Sequence, residues 1–211
     1  MTSTTHSYTR TAITLHWLMA LLIFAGFGLG LTMVDMGFSP QKLKFYSWHK
    51  WIGITIFTLA AARLIWRLTH AGPPLPAHMP AWQHSVAHAS HRLLYVLFFL
   101  IPISGWLYSS SKGIQTVYLG VLPLPDLLSK DFGSIVLAAA EAEKPFTVAE
   151  LIRLIHKSLN YFMGALVLGH IAAAFKHYLI DRDEVMSHMI PALKPRTAAS
   201  APALAQSNQP E

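Results

Sequence analysis

The chain has no cysteine among its 211 residues. That absence removes disulfides, thiolate-bound iron–sulfur clusters, thiolate zinc sites and cofactors attached covalently through C-x-x-C-H. Charge is also scarce. Only 12% of residues are charged while 53% are hydrophobic, and the mean hydropathy is +0.41. Such a composition is too oily for an ordinary soluble domain and places the chain in the membrane class. Acidic residues are fewest, 10 against 16 Lys and Arg, for a formal charge of +6. The basic residues mostly flank apolar segments, so membrane anchoring explains them and no nucleic-acid partner is expected. Histidine, in contrast, is abundant at 12 copies. Without thiols, imidazole is the main soft ligand available.

Four apolar stretches long enough to span a bilayer are expected at residues 12–34, 45–68, 82–111 and 151–180. The first carries no charge and no clear small-x-small cleavage site follows it, so it reads as a retained helix rather than a signal peptide. The fold class expected is all-α, a four-helix transmembrane bundle over residues 12–190, behind a short arm at 1–11. An Ala/Pro/Ser-rich tail at 191–211 is expected to be disordered. Pro102 is expected to kink the third helix. Residues 112–150 form a long polar connection, net acidic, whose apolar patch at 117–128 suits the membrane interface. With both termini on one side, the 16 Lys and Arg divide evenly between the two faces. The positive-inside rule therefore does not set the orientation.

The fourth stretch holds His156 and His170, fourteen residues apart. On an α-helix that spacing is about four turns, a net rotation of about 40° and a rise of about 21 Å, so both imidazoles share one side. His16 lies near the start of the first stretch and His49 near the start of the second. Alternating spans then bring His49 level with His156, and His16 level with His170. Two imidazoles at each of two depths suit a six-coordinate haem iron with both axial positions filled, a centre that favours electron transfer over oxygen binding. Zinc or copper would want three or four converging ligands. Two b-type haems stacked across the bilayer would make an electron wire.

Arg63 is fourteen residues after His49 and level with the His16/His170 pair. It reads either as the partner of a haem propionate or as a side chain snorkelling to the interface. Gly30 and Gly53 read either as flat seats for a macrocycle or, like Gly26 with Gly30 in a G-x-x-x-G, as small-residue helix contacts. His84, His88 and His91 share a face of the third helix. His88 and His91 are assigned to propionate hydrogen bonding or to the headgroup level, and His84 to the loop. His177, seven after His170, is placed to protonate a quinone, with an idle interfacial histidine as the alternative. His6, His70, His78 and His188 read as incidental.

Ile13-Thr14-Leu15-His16-Trp17, His49-Lys50-Trp51-Ile52-Gly53, Ala87-His88-Ala89-Ser90-His91, and His156 with His170 together resemble the bacterial cytochrome b561 family. That family is related to the membrane cytochrome subunits of hydrogenases and formate dehydrogenases. The resemblance runs from about Tyr8 to Pro191. It implies a multi-pass protein of the bacterial inner membrane with both termini cytoplasmic. It further implies two b haems on the pairs above, and electron passage from a periplasmic-side donor to the quinone pool. Relatives that are superoxide oxidases take an electron from superoxide and reduce ubiquinone, and the resemblance would assign His177 to the quinone site. Lys42, Lys44, Lys50, Arg153 and Lys157 would gather at the outer pair, either to steer an anion such as superoxide or simply to cap membrane helices. Three functions remain in view: a stand-alone oxidoreductase, a haem-bearing anchor for a dehydrogenase, hydrogenase or other redox protein partner, and a haem-free transporter or metal-binding membrane protein.

Overall fold

The computed structural model describes residues 7–76, 79–138 and 145–193. His6, His78 and most of the tail expected at 191–211 lie outside the described residues. In chain order the elements are α1 (Arg10–Asp35), α2 (Pro40–Thr69), α3 (Ala81–Ser111), β1 (Val117–Tyr118), β2 (Leu122–Pro123), α4 (Lys130–Gly133), β3 (Val136–Ala138), β4 (Phe146–Thr147) and α5 (Val148–Lys176). A π-helical turn, His177–Asp181, continues α5. Among the described residues, α1, α2, α3 and α5 with its π-turn are long and apolar enough to cross a membrane.

Local chemistry sets the helix starts. The Thr9 hydroxyl accepts from the Ala12 amide at 3.3 Å. Ser39 accepts from the Lys42 amide at 3.2 Å, and Pro40 takes the first helical position. The second helix thus begins at Pro40 rather than at the expected residue 45, because the Ser-Pro start signal precedes the rise in hydropathy. Thr147 and Glu150 have capping-box spacing, with the Glu150 amide donating to the Thr147 hydroxyl at 3.3 Å. Helix α3 continues unbroken through Pro102.

Protein contacts bury little of these helices, at most 28% of any span's most apolar window. Leu21, Val34, Leu68 and Ile180 all point outward. Such surface is untenable in water and is the face a bilayer covers. The protein-facing core is two small clusters. Met19, Ile56 and Ala60 join α1 to α2, and Leu94, Leu97 and Met163 join α3 to α5. Phe98 packs against both clusters. Leu97 is 2% exposed, so Leu97→Ala leaves a cavity between α3 and α5. The expected cost is about 3 kcal/mol, read as a lower thermal midpoint of the purified protein in detergent.

The connection expected as a polar loop carries small ordered elements instead. Strands β1 and β2 pair antiparallel, Val117 with Pro123 and Tyr118 with Leu122, and β3 pairs with β4 through an irregular register. The β1–β2 hairpin is fastened along α2. The Trp51 indole donates to the Val117 carbonyl at 2.8 Å, and Thr55 bonds the Tyr118 hydroxyl at 3.0 Å. Lys50 reaches the Ile114 and Gln115 carbonyls at 3.3 and 3.4 Å. These side-chain ties order a stretch whose own backbone ladder is only two residues long.

Candidate cofactor-binding site

All four spans contribute to one cavity of about 870 Å³. Each brings a glycine to its wall: Gly26 from α1, Gly53 from α2, Gly105 from α3 and Gly164 from α5. His49 and His156 face each other across it, ring centres 6.2 Å apart and planes at 82°. Backbone carbonyls fix both rings. The His49 Nδ1 lies 2.9 Å from the Gly26 carbonyl. A carbonyl can only accept, so Nδ1 carries the proton and Nε2 keeps its lone pair. His156 is held the same way, its Nδ1 lying 3.1 Å from the Ile101 carbonyl and 2.9 Å from the Ser104 hydroxyl. Ser104 itself donates to the Ile101 carbonyl at 2.8 Å, so its oxygen accepts from His156. Tying one imidazole nitrogen to a carbonyl presets the other as a ligand.

Glycine also makes room for the rings. A Cβ on Gly105 would stand 3.0 Å from His156 Cε1, and one on Gly30 3.4 Å from His49 Cε1. Gly30, read as a seat for a macrocycle or a helix contact, therefore backs the His49 ring. Gly53 lines the cavity with no atom within 4 Å of its added Cβ.

His16 and His170 form a second pair, also 6.2 Å between ring centres, with planes at 56°. Their surroundings differ. The Arg63 guanidinium donates from Nη2 to His16 Nδ1 at 3.1 Å and from Nε to the Tyr95 hydroxyl at 3.3 Å. Arg63 thus turns inward to this pair and does not snorkel. His91 joins from α3, its ring 5.4 Å from that of His170. His88, on the same face, is exposed, and His84 is half-buried.

His177 opens the π-turn at the end of α5. Its Nδ1 lies 2.7 Å from Asp183 Oδ2 and 3.1 Å from Asp181 Oδ2. Among the described residues these three are the only group of His and carboxylates whose ligand atoms converge within 4.8 Å. The three histidines around Arg63 do not converge that closely. Of the basic residues expected near the outer pair, Lys42 and Lys50 line the cavity, whereas Lys44, Arg153 and Lys157 do not. Arg153 pairs with Glu150 at 2.6 Å, and Lys157 sits over the Tyr161 ring at 5.7 Å. Lys112 also lines the cavity while bonding Glu150 at 3.2 Å. His70 stacks on Trp66 at 3.9 Å and His188 meets the edge of Tyr8 at 6.5 Å, local contacts at the periphery of the bundle.

Residues 7–192 match the sequence profile of the family described as prokaryotic cytochrome b561. The chain belongs to that family. Two of its relatives are named cytochrome b561 homologs. Cytochrome b561 homolog 2 of Escherichia coli (strain K12) is 31% identical over 90% of this chain and 94% of its own length. Cytochrome b561 homolog 1 of the same organism is 26% identical over 89% and 98%. The probable superoxide oxidase CybB of Yersinia pestis is 26% identical over 87% and 96%. The match to the b561 family covers all four spans, both imidazole pairs and the His177 turn.

Sequence reasoning missed Gly105, Gly164, Ser104, Tyr95, Asp181 and Asp183. Gly105 and Ser104 carried a faint signal, two small residues just after Pro102 in an otherwise bulky apolar run. The carbonyls of Gly26 and Ile101 carried none, since every residue has a carbonyl.

Proposed function

We propose that this membrane b561 protein carries two b haems, one on His49 and His156 and one on His16 and His170. It passes electrons from a periplasmic-side donor to the quinone pool of the bacterial inner membrane, with both termini cytoplasmic. The observation that carries the reading is the first pair: two imidazoles on different helices, each with Nδ1–H given to a carbonyl and Nε2 left to bind. Both pairs stand with their ring centres 6.2 Å apart, a separation at which the two rings of a pair would hold one metal between them. A cavity with a glycine on every wall suits a flat macrocycle.

At the second pair the spacing fits, and the chemistry sets a condition. Arg63 cannot donate to a protonated nitrogen, so iron on His16 Nε2 would leave the proton on Nδ1 and turn Arg63 to another acceptor. A haem propionate is such an acceptor, and His91 is near enough to share that role. When bound, the haems supply one-electron redox chemistry. The protein supplies axial nitrogens, fixed ring tautomers and a dry apolar wall, the levers that set a haem's potential.

Superoxide is the donor that a relative's name suggests, and ubiquinone the acceptor. The lysines on the cavity wall, Lys42, Lys50 and Lys112, would steer a small anion, with a rate that falls as ionic strength rises. His177 is assigned to quinone protonation. His177→Ala is expected to slow quinone turnover by about a hundredfold, the usual size of a general acid–base contribution, with both haems retained. Loss of a haem in that variant would refute the ligand assignment. The direct test is a reduced-minus-oxidised spectrum of the purified protein with its haem-to-protein ratio, expected at two. A colourless preparation ends the reading. Quinone reduction by the isolated protein supplied with superoxide supports the stand-alone enzyme, whereas activity only after a dehydrogenase partner is added supports the anchor.

A further inference from the structure

We infer that Asp183 is a positioning residue for His177, holding its imidazole in the tautomer that passes a proton to the quinone. This rests on the assignment of His177 to the quinone site. Helix α5 does not end in an ordinary cap. It widens into a π-turn, and the Arg182 amide donates to the His177 carbonyl. Arg182 then takes a left-handed conformation, φ 55°, which reverses the chain. The reversal brings the Asp183 amide to the His177 carbonyl at 3.2 Å and the Asp183 carboxylate to His177 Nδ1 at 2.7 Å. π-turns concentrate at functional sites, and a non-glycine residue at positive φ persists only where its surroundings enforce it.

The carboxylate is itself fixed. Its side chain is only 5% exposed, and its other oxygen accepts from the Val185 amide at 3.1 Å. One oxygen thus anchors Asp183 to the turn while the other faces the ring. A carboxylate accepts only, so it keeps the proton on Nδ1, leaves Nε2 as the exchanging position, and stabilises the imidazolium. In the transfer, the Nε2–H bond of the imidazolium breaks and an O–H bond forms on the quinone oxygen. The ring becomes neutral with its Nδ1 proton in place, a solvent hydronium restores the Nε2 proton and leaves water, and the electrons that reduce the quinone are those of the proposed donor. Asp181 is the weaker partner. Its Oδ2 stands 3.1 Å from Nδ1 and is shared with the Lys176 ammonium at 2.6 Å.

Asp183→Asn separates positioning from structure. The amide keeps an oxygen for Val185 but presents an N–H to Nδ1, so the favoured tautomer inverts. The full-length haem-loaded protein would be assayed with superoxide and a soluble ubiquinone analogue. Asp183→Asn is expected to lower kcat about tenfold, as losses of ring-orienting partners do, with KM and haem content unchanged and Asp183→Glu recovering part of the rate. In a His177→Ala background Asp183→Asn should add nothing, the non-additivity expected of groups acting as one unit. Full kcat in Asp183→Asn beside a slow His177→Ala, or additive losses in the double variant, would overturn the inference alone. A His177→Ala variant as fast as the parent would overturn the quinone assignment and this inference with it.

Discussion

Alanine at His49 or at His156 is expected to remove the same haem, halving the haem-to-protein ratio and the b-type absorbance while the other centre remains. The two rings face one another across the cavity, so under the proposed reading each variant would take away one of the two side chains that hold one haem. The double variant should lose no more than either single one. Replacing His16 or His170 should remove the complementary half. Ser104→Ala supplies the graded control. It deletes one of the two acceptors at His156 Nδ1 but leaves the Ile101 carbonyl, so the haem should stay and bind about tenfold more weakly, the lower end of the loss typical of an outer partner. If the His49 and His156 variants lost different halves of the spectrum, the pairing would be wrong.

A branched side chain at Gly105 should do nearly as much damage without replacing any histidine. The first carbon added there already stands 3.0 Å from His156 Cε1, closer than ordinary packing allows. The two methyl groups of Gly105→Val must therefore displace the imidazole or the α3–α5 contact. His156 has little room to yield, since its Nδ1 is tied to Ile101 and Ser104. Overpacking of this kind costs about 1–3 kcal/mol, and a displaced ring would also lose its aim at the proposed haem. Loss of the His49/His156 haem is expected, with the other retained. Gly53→Ala is the matched comparison, because its added carbon meets nothing within 4 Å. Equal haem loss in both variants would point to general disruption of the bundle rather than to the His156 ring.

The two substitutions probe different kinds of information. The histidines were legible because helix periodicity and alternating span direction are one-dimensional rules. A fourteen-residue interval fixes side and depth for His156 and His170 whatever surrounds them. The same rule set Arg63 level with His16 and Gly30 level with His49, and the structure brings both pairs into contact. Gly105 was not legible, because nothing in α3's own sequence says which neighbour its bare face will meet. That His91, assigned to propionates or headgroups, lies against His170 was not legible either, because rotation of α3 about its axis is set by packing against α5. The start of α2 was placed late because hydropathy rises after the Ser39–Pro40 cap.

The sequence by itself determined the membrane class, the four spans, the two depths of the imidazoles and the likeness to the b561 cytochromes. These follow from composition, hydropathy and residue spacing, which need no knowledge of neighbours. Only the tertiary structure decided which nitrogen of His49 and of His156 is tied to a carbonyl, which glycines open the cavity, and that a π-turn returns Asp183 to His177. Those depend on the rotation of one helix against the next and on single backbone groups common to every residue, so no local pattern in the chain encodes them.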